Sequence, residues 1–230
     1  MLSRCFLSFW VYLLAWSLPS SAAERAAWSA DDPDWLRAVG RLTVPGSEMV
    51  DGERRHRDEN CSATLVGPKT IVTAWHCFEY YRDLSKDAVF TLPHAPRPTR
   101  ILARRVADGG GMGADWAVLR LQEPVRGVAP VPVQRYSRGA VPPPLTLAGF
   151  ARDDVLGDGG RQLTWEADCA TTDTSANRIG TDCVTYKGAS GGPVIASGKL
   201  VGVISAGDSA AVTYFAPSSL FMSNLLYLRR

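Results

Sequence analysis

The sequence predicts a mostly-β protein made of two halves of similar size and one terminal helix. The chain of 230 residues contains 21 Gly and 15 Pro spread along its length, which favours many turns and short strands over long helices. Short runs of β-branched residues recur, and a Pro- and Gly-rich stretch over 124–144 divides them into two groups. An amphipathic pattern over about 218–229 predicts the one helix.

Composition excludes several classes of protein. Hydrophobic residues make up 46% of the chain and charged residues 21%, which is ordinary for a globular protein and argues against disorder. The formal charge is +2, and the Arg residues are scattered rather than gathered on one basic face. Nucleic acid is therefore not expected as a partner.

The first 23 residues have the features of a signal peptide. Arg4 precedes an apolar run of 14 residues, Cys5 to Leu18, and small residues follow up to Ala23. The run is shorter than the ~20 residues that span a bilayer, so a membrane anchor is the weaker alternative. We expect cleavage near Ala23, one folded domain over 24–230 that is secreted or periplasmic, and no membrane association after the leader is removed.

Four cysteines remain after the leader: Cys61, Cys77, Cys169 and Cys183. An even number in an exported chain predicts disulfides, and three pairings are possible. Pairing of near neighbours, Cys61 with Cys77 and Cys169 with Cys183, is favoured because each pair brackets a plausible hairpin. A four-cysteine metal site is the alternative, but the close C-x-x-C spacing of such sites is missing.

The first half is expected to hold most of its strands after Cys61. A first strand is predicted over 38–44, and 24–35 are interpreted as a surface arm or a short prosegment. The dense charge of 45–60 predicts a solvated loop. The other strands predicted from β-branched and apolar runs cover 64–66, 70–73, 88–92, 101–106, 115–121, 145–150, 163–168, 182–185, 192–195 and 200–205.

A Gly-rich stretch in the second half exposes one serine. Ser190 follows Gly188 and Ala189 and precedes Gly191 and Gly192, so no large side chain screens its hydroxyl. The backbone amides of Gly188 and Ser190 are candidate donors for an oxyanion hole. An ordinary Gly-rich turn between two strands is the alternative.

A nucleophilic serine needs a base, and histidine is the usual one. His76 ends the predicted hairpin beside Cys77, whereas His56 and His94 lie in segments that we expect to leave an imidazole unfixed. Asp115 opens an apolar strand, where partial burial would let it orient the histidine. A packed histidine and a turn-capping aspartate are the plainer interpretations.

These residues resemble three motifs of the trypsin/chymotrypsin-like serine peptidase family. The motifs are Thr73-Ala-Trp-His76-Cys77, Asp115-Trp-Ala-Val-Leu and Gly188-Ala-Ser190-Gly-Gly-Pro193, in the family's order. Ser205-Ala206-Gly207 resembles the strand that binds the substrate backbone, and Cys61–Cys77 matches a family disulfide. The resemblance implies two six-stranded antiparallel β-barrels, over about 38–123 and 145–215, with a short C-terminal helix.

The resemblance also implies a mechanism. Ser190 would attack a peptide carbonyl, His76 would act as base and then as acid, and Asp115 would orient His76. The amides of Gly188 and Ser190 would bind the oxyanion, and Ser205 would support Asp115. The expected partner is a protein or peptide substrate, and no metal or organic cofactor is required.

Departures from the family pattern narrow this expectation. Ala189 replaces the aspartate that pairs with a freed N-terminus in digestive members, so the chain is more similar to bacterial glutamyl-endopeptidase-like members. The pocket wall would include Val184, Thr185, Tyr186 and Lys187. Val184 lacks the charge that selects Lys or Arg, and Ile204 stands where glutamyl endopeptidases carry His, so an apolar or small side chain is expected.

Three functional hypotheses follow. The first is an exported serine endopeptidase. The second is a catalytically silent member of the family that serves as a binding module, against which the complete His76, Asp115 and Ser190 set argues. The third is an esterase-type serine hydrolase, but a Gly-x-Ser-x-Gly elbow would come with the order Ser, acid, His rather than His first.

Overall fold

The structure, a computed structural model, describes residues 24–79, 87–136, 144–175, 177–207 and 212–228. The predicted signal peptide lies outside the described residues, as do 137–143 of the predicted connection. The fourteen strands are β1 Ala26–Ala27, β2 Val39–Val50, β3 Glu53–Gly67, β4 Thr70–Thr73, β5 Ala88–Leu92, β6 Thr99–Asp108, β7 Ala117–Leu121, β8 Leu145–Gly149, β9 Thr164–Cys169, β10 Thr171–Thr174, β11 Ile179–Thr181, β12 Pro193–Ala196, β13 Lys199–Gly207 and β14 Thr213–Pro217.

Helical structure is sparse in the described part of the chain. Four short 3₁₀ helices cover Asp34–Ala38, Trp75–Phe78, Asp158–Gly160 and Ser218–Leu220, and the α-helix α1 covers Met222–Leu228. Within the described residues, the structure contains no helix with the length and apolar character needed to cross a bilayer. The predicted fold class, all-β with a short C-terminal helix, is confirmed.

The first half is a closed barrel of six antiparallel strands in the order β2-β3-β4-β7-β6-β5. Alternate side chains of these strands point inward and are buried, as expected where one face of each strand meets a core. Phe90, Leu42 and Leu119 are among its fully buried side chains. This core continues to the C-terminal helix, where Phe221, directly before α1, and Leu225 within α1 are buried against the barrel.

The prediction of a solvated loop over 45–60 was wrong. This segment is the outer part of the β2–β3 hairpin, whose pairing runs from Val39↔Thr64 to Val50↔Glu53. Asp51 and Gly52 both have positive φ, 52° and 81°, and form the tight turn that such a hairpin needs. The charged side chains remain mostly exposed, and Arg57 of β3 pairs with Glu48 of β2 across the hairpin. Composition therefore indicated exposure correctly and concealed the strand pairing.

The second half is an eight-stranded antiparallel sheet in the order β1-β9-β8-β12-β13-β14-β11-β10, curved as a half-barrel. It differs from the predicted six-stranded barrel because β1 of the N-terminal segment and the short strand β10 extend its two edges. Its core contains Leu145, Val194 and Phe215. The strand predicted over 182–185 is absent, because the backbone donors there bind side chains instead of a neighbouring strand. The N–H of Cys183 donates to Thr181 Oγ1 and that of Val184 to Glu166 Oε2.

Residues 24–38, called here the N-terminal arm, are packed against the second sheet rather than lying loose on the surface. Ala26 pairs with Trp165 of β9, and Trp28 donates its N–H to Leu163 O at 2.8 Å. Leu36, in the 3₁₀ helix of the arm, is fully buried. The arm therefore belongs to the folded domain.

Both expected disulfides are present. Cys61 at the buried end of β3 is joined to Cys77, which directly follows His76. Cys169 at the end of β9 is joined to Cys183, which precedes the predicted pocket wall. Each bridge thus fixes the backbone beside a group of predicted site residues.

Candidate active site

His76 lies on the short 3₁₀ helix that follows β4, and two contacts fix its backbone. The neighbouring Cys77 is held by the disulfide, and the backbone N–H of His76 donates to Asp115 Oδ1 at 2.9 Å. Its imidazole is 23% exposed. The ring is therefore anchored at its base while one edge remains accessible.

Asp115 is almost fully buried, with its side chain 2% exposed. Its Oδ2 lies 2.8 Å from His76 Nδ1 and also accepts a hydrogen bond from Ser205 Oγ. Because an ionised carboxylate only accepts hydrogen bonds, this contact places the proton of the neutral imidazole on Nδ1. His76 Nε2 is then the basic nitrogen.

The surroundings of His76 raise its pKa above the ordinary value of 6.5. Burial lowers the pKa, but the hydrogen bond and negative charge of Asp115 outweigh it, and the charges of Glu59 and Glu79 add to the rise. The imidazole is thus a stronger base than a free histidine and stabilises the proton that it accepts.

Ser190 lies on a loop formed by residues 186–192, called here the nucleophile loop. Gly188 and Gly191 have φ of +95° and +79°, which favour glycine. A Cβ on Gly191 would lie 2.0 Å from Thr73 Oγ1, so only glycine lets the loop approach β4 this closely. The loop consequently packs against the chain just before His76.

The backbone amides of the nucleophile loop fall into two groups. The N–H groups of Ala189, Gly191 and Gly192 donate to the carbonyls of Tyr186, Ile204 and Ala189. Those of Gly188 and Ser190 have no acceptor among the described residues. These two free donors are the pair predicted for the oxyanion hole, and their availability gives them the capacity to bind developing negative charge.

No hydrogen bond joins Ser190 Oγ to His76 Nε2 within the described residues. Contacts of this kind often tighten only when substrate binds. The two side chains are brought to the same region by shared supports. Ser205 of β13 holds Asp115, and the adjacent Ile204 accepts the N–H of Gly191 at 2.7 Å.

Ser62 of β3 connects the two halves at the nucleophile loop, and sequence reasoning missed it. Its Oγ donates to Gly188 O at 2.8 Å and accepts the N–H of Phe150 at 2.8 Å. Its backbone N–H donates to Ser190 O at 2.8 Å, and its carbonyl accepts Thr73 Oγ1. The only sequence signal was its place beside Cys61, because its partners are distant along the chain.

The residues predicted to form the substrate pocket lie on two neighbouring segments. Thr185 Oγ1 is 3.0 Å from Thr213 Oγ1, and a Cβ on Gly207 would lie 2.9 Å from Thr185 Oγ1. Val184, Lys187 and Ala206 complete this set, whereas the Ser205 side chain is directed to Asp115. Thr213 was not predicted, because its place opposite Thr185 depends on how β13 pairs with β14.

The other two histidines lack the environment of His76. His56 is exposed on the β2–β3 hairpin, where its Nε2 lies 2.9 Å from Asp58 Oδ1. His94 is fixed more firmly than expected, since its ring lies 4.0 Å from that of Trp28 and 6.0 Å from that of Phe150. Burial and the charges of Arg37 and Arg41 lower the pKa of His94.

Cys61, His76 and Cys77 lie close enough together to share a metal ion. The two cysteines are joined to each other, however, and so present no thiolate. The group is better described as a histidine fixed beside a disulfide.

One comparison with known proteins identifies a family. A family model described as Trypsin matches residues 39–223. A comparison with curated proteins found no match.

Several solved structures share the fold at low sequence identity. A structure described as GrC is 18% identical, with a TM-score of 0.66 and coverage of 89% of this chain and 98% of the other. A scabies mite inactivated protease paralogue, S-I1, is 13% identical with the same score and coverage. The thermostable serine protease AL20 from an extremophilic microorganism is 17% identical, with a TM-score of 0.64 and coverage of 85% and 98%.

The fold itself does not decide activity, since it is shared by an inactivated paralogue and by a serine protease. The match to the family model covers most of the chain and every strand of the two sheets except β1. It includes His76, Asp115 and Ser190, the three residues on which the sequence prediction rests. The chain therefore belongs to the trypsin family.

Proposed function

We propose that the protein is an exported serine endopeptidase with His76, Asp115 and Ser190 as its catalytic triad. The carbonyl carbon of a peptide bond is attacked by Ser190 Oγ, whose proton passes to His76 Nε2. The same proton then passes to the leaving amine as the C–N bond breaks, which leaves an acyl-enzyme on Ser190. Water, deprotonated by His76, hydrolyses that ester and restores the serine.

One observation carries this proposal. Asp115 is buried and accepts three hydrogen bonds, from His76 Nδ1, the His76 backbone N–H and Ser205 Oγ. A buried carboxylate so arranged fixes both the ring orientation and the tautomer of His76, which is the support a general base needs. The free amides of Gly188 and Ser190 add the matching oxyanion donors.

The first experiment tests for the activated serine. The purified mature chain should be labelled by a fluorophosphonate probe and should cleave unfolded protein substrates. Ser190→Ala should abolish both, and Ser197→Ala, in the turn between β12 and β13, should change neither. Cleavage of simple esters without cleavage of peptides would favour an esterase.

Absence of labelling in a folded protein would favour the silent binding module. The fold should be checked in that case by circular dichroism and thermal unfolding. Labelling that persists in Ser190→Ala would contradict the assignment of the nucleophile.

The pocket supports a preference for small or apolar side chains. Val184 and Gly207 are uncharged, and the hydroxyls of Thr185 and Thr213 are bonded to each other. Among the described residues of this wall, Val184, Thr185, Gly207 and Thr213 offer no carboxylate for Lys or Arg and no histidine for Glu. The Glu166 carboxylate lies beside them, but its Oε2 already accepts the N–H of Val184. Cleavage of a peptide library should therefore show small or apolar residues before the scissile bond, and a strong preference for any charged residue would overturn this.

The same features bear on subtype and location. Ala189 has no charge with which to bind a freed amino terminus. This supports a relationship to glutamyl-endopeptidase-like members in the way the oxyanion loop is held, but not in the substrate side chain that is preferred. The signal-like leader and two disulfides support export to a secreted or periplasmic location. Proteins or peptides of that compartment are the proposed substrates.

A further inference from the structure

A largely buried ion pair joins the N-terminal arm to the loop over 150–162 that follows β8. Arg25 Nη2 lies 2.8 Å from Asp153 Oδ1, and the two side chains are 13% and 9% exposed. Neither residue belongs to the triad or to the pocket wall described above. The pair instead connects two segments that are far apart in the sequence and that meet beside the nucleophile loop.

Asp153 organises the loop to which Arg25 binds. Its Oδ1 accepts the backbone N–H groups of Leu156, Val155 and Gly157 at 2.8, 3.2 and 3.3 Å. Burial raises the pKa of Asp153, but the hydrogen bonds from Arg25 and the backbone outweigh it and hold the pKa well below its usual value. The carboxylate is therefore ionised at neutral pH and holds the loop in one turn.

This loop in turn orients the peptide group that carries one oxyanion donor. The N–H of Arg152 donates to Lys187 O at 2.6 Å. In a trans peptide the C=O and N–H point in opposite directions. Fixing the Lys187 carbonyl on Arg152 therefore fixes the direction of the Gly188 N–H, which is one of the two free amides.

Arg25 also contacts the nucleophile loop directly. Its guanidinium carbon lies 4.5 Å from the centre of the Tyr186 ring. The carbonyl of Tyr186 accepts the N–H of Ala189 at 3.1 Å. One side chain thus touches both segments that enclose Gly188.

The pair is poorly suited to a purely stabilising role. Arg25 Nη1 and Asp153 Oδ2 are buried without a hydrogen-bond partner among the described residues. A buried ion pair stabilises a protein little unless its remaining polar atoms are satisfied. The clear structural effect of the pair is to hold its two segments in position. The pair lies beside Ala189, which replaces the acidic residue of the family's digestive members.

We infer that Arg25 is a positioning residue that, through Asp153 and Tyr186, holds the nucleophile loop with the Gly188 N–H directed at the oxyanion. The N-terminal arm would then supply from within the chain the support that digestive relatives obtain from a freed amino terminus. The expected changes in kinetics rest on the proposed peptidase function, whereas the positioning of the loop does not.

Arg25→Gln and Asp153→Asn test the inference. Each should lower kcat for peptide substrates by about 10-fold or more, the direction expected when an oxyanion donor is misplaced, with a smaller change in KM. The loss of kcat in the double variant should be smaller than the product of the two single losses, because both changes break the Arg25–Asp153 contact. Arg25→Lys should restore part of the activity. Arg161→Gln, which removes the exposed Arg161–Asp158 pair of the same loop, is the matched control and should behave as wild type.

Hydrogen exchange supplies a readout that does not need catalysis. In Arg25→Gln the amides of 150–157 and 186–191 should exchange faster, while those of the first barrel stay protected. Unchanged exchange there, or multiplicative losses of kcat in the double variant, would overturn the inference. A lower Tm with unchanged kcat and unchanged exchange would show a merely structural pair. If Ser190 proved unreactive in the wild type, the exchange result would still decide the positioning role.

Discussion

At the scale of single residues, the candidate site depends on polar groups that are buried and have defined partners. Asp115 shows this best, because it accepts hydrogen bonds from His76 and from Ser205, which lies on the strand behind the nucleophile loop. Ser62 shows it on the opposite side, where one hydroxyl joins Gly188 O to the N–H of Phe150. These two side chains fix the base and the oxyanion donors separately.

The pH dependence of activity should report the raised pKa of His76. The base must be neutral, so kcat/KM should fall as the pH drops through a midpoint above 6.5. Glu79→Gln removes a negative charge that raises this pKa and should move the midpoint to lower pH. Glu123→Gln, whose charge does not act on His76, is the control. A wild-type midpoint below 6.5 would contradict the electrostatic reasoning.

Removing the Ser62 hydroxyl should impair catalysis more than binding. In Ser62→Ala, Gly188 O and the Phe150 N–H lose their partner, and we expect kcat to fall about 10-fold and the free energy of unfolding to fall by about 1–3 kcal/mol. Thr64→Val is a matched control on the same strand face, because Thr64 Oγ1 is buried without a hydrogen-bond partner among the described residues. Equal effects of the two substitutions on kcat would argue against a role for Ser62 in the site.

The sequence predicted the residue types of the site better than their supports. His76, Asp115 and Ser190 each occur in a short motif whose local chemistry is visible without a structure. Ser62 and Thr213 could not be found in this way, because each acts through partners that only strand pairing brings close. Arg25 was similarly hidden, since nothing in the arm's sequence indicates an acidic partner at Asp153.

At the scale of elements, most strands of the first barrel and the central strands of the second sheet were predicted. The outer part of the β2–β3 hairpin and the strands β1, β10, β11 and β14 were not predicted, and the strand predicted over 182–185 was wrong. The runs that became β4, β5, β7 and β8 alternate or are continuously apolar, and this pattern reflects burial directly. The β2–β3 hairpin extends beyond the core, so its charged outer half shows no pattern of buried residues. The strand pairing there depends on the Asp51-Gly52 turn. Residues 182–185 have strand-like composition, but their donors bind side chains.

Each disulfide should support the element beside it, which replacement of each pair by alanine can test. Loops closed over 16 and 14 residues are expected to contribute about 3 kcal/mol each to the free energy of unfolding. Loss of Cys61–Cys77 should lower kcat through His76, whereas loss of Cys169–Cys183 should raise KM through the wall at Val184. Unchanged Tm and unchanged kinetics in either variant would contradict this.

At the scale of the whole molecule, the site lies where the closed barrel meets the half-barrel sheet. The proposed base, His76, and its partner Asp115 come from the first half, and Ser190, the loop amides and the predicted pocket wall come from the second. The N-terminal arm and α1 extend this assembly, since the arm pairs with β9 of the second sheet and α1 packs on the barrel of the first. Each half is thereby tied to a terminal segment of the chain.

The Ser62 hydroxyl has a consequence for the order of folding. It joins residues that lie 126 and 88 positions apart, so its hydrogen bonds cannot form until both halves have folded and docked. Contacts of such long sequence separation carry a large loop-closure cost and form late. We therefore expect a newly made chain to complete its oxyanion donors only at the end of folding, after its own unfolded segments are no longer exposed to cleavage.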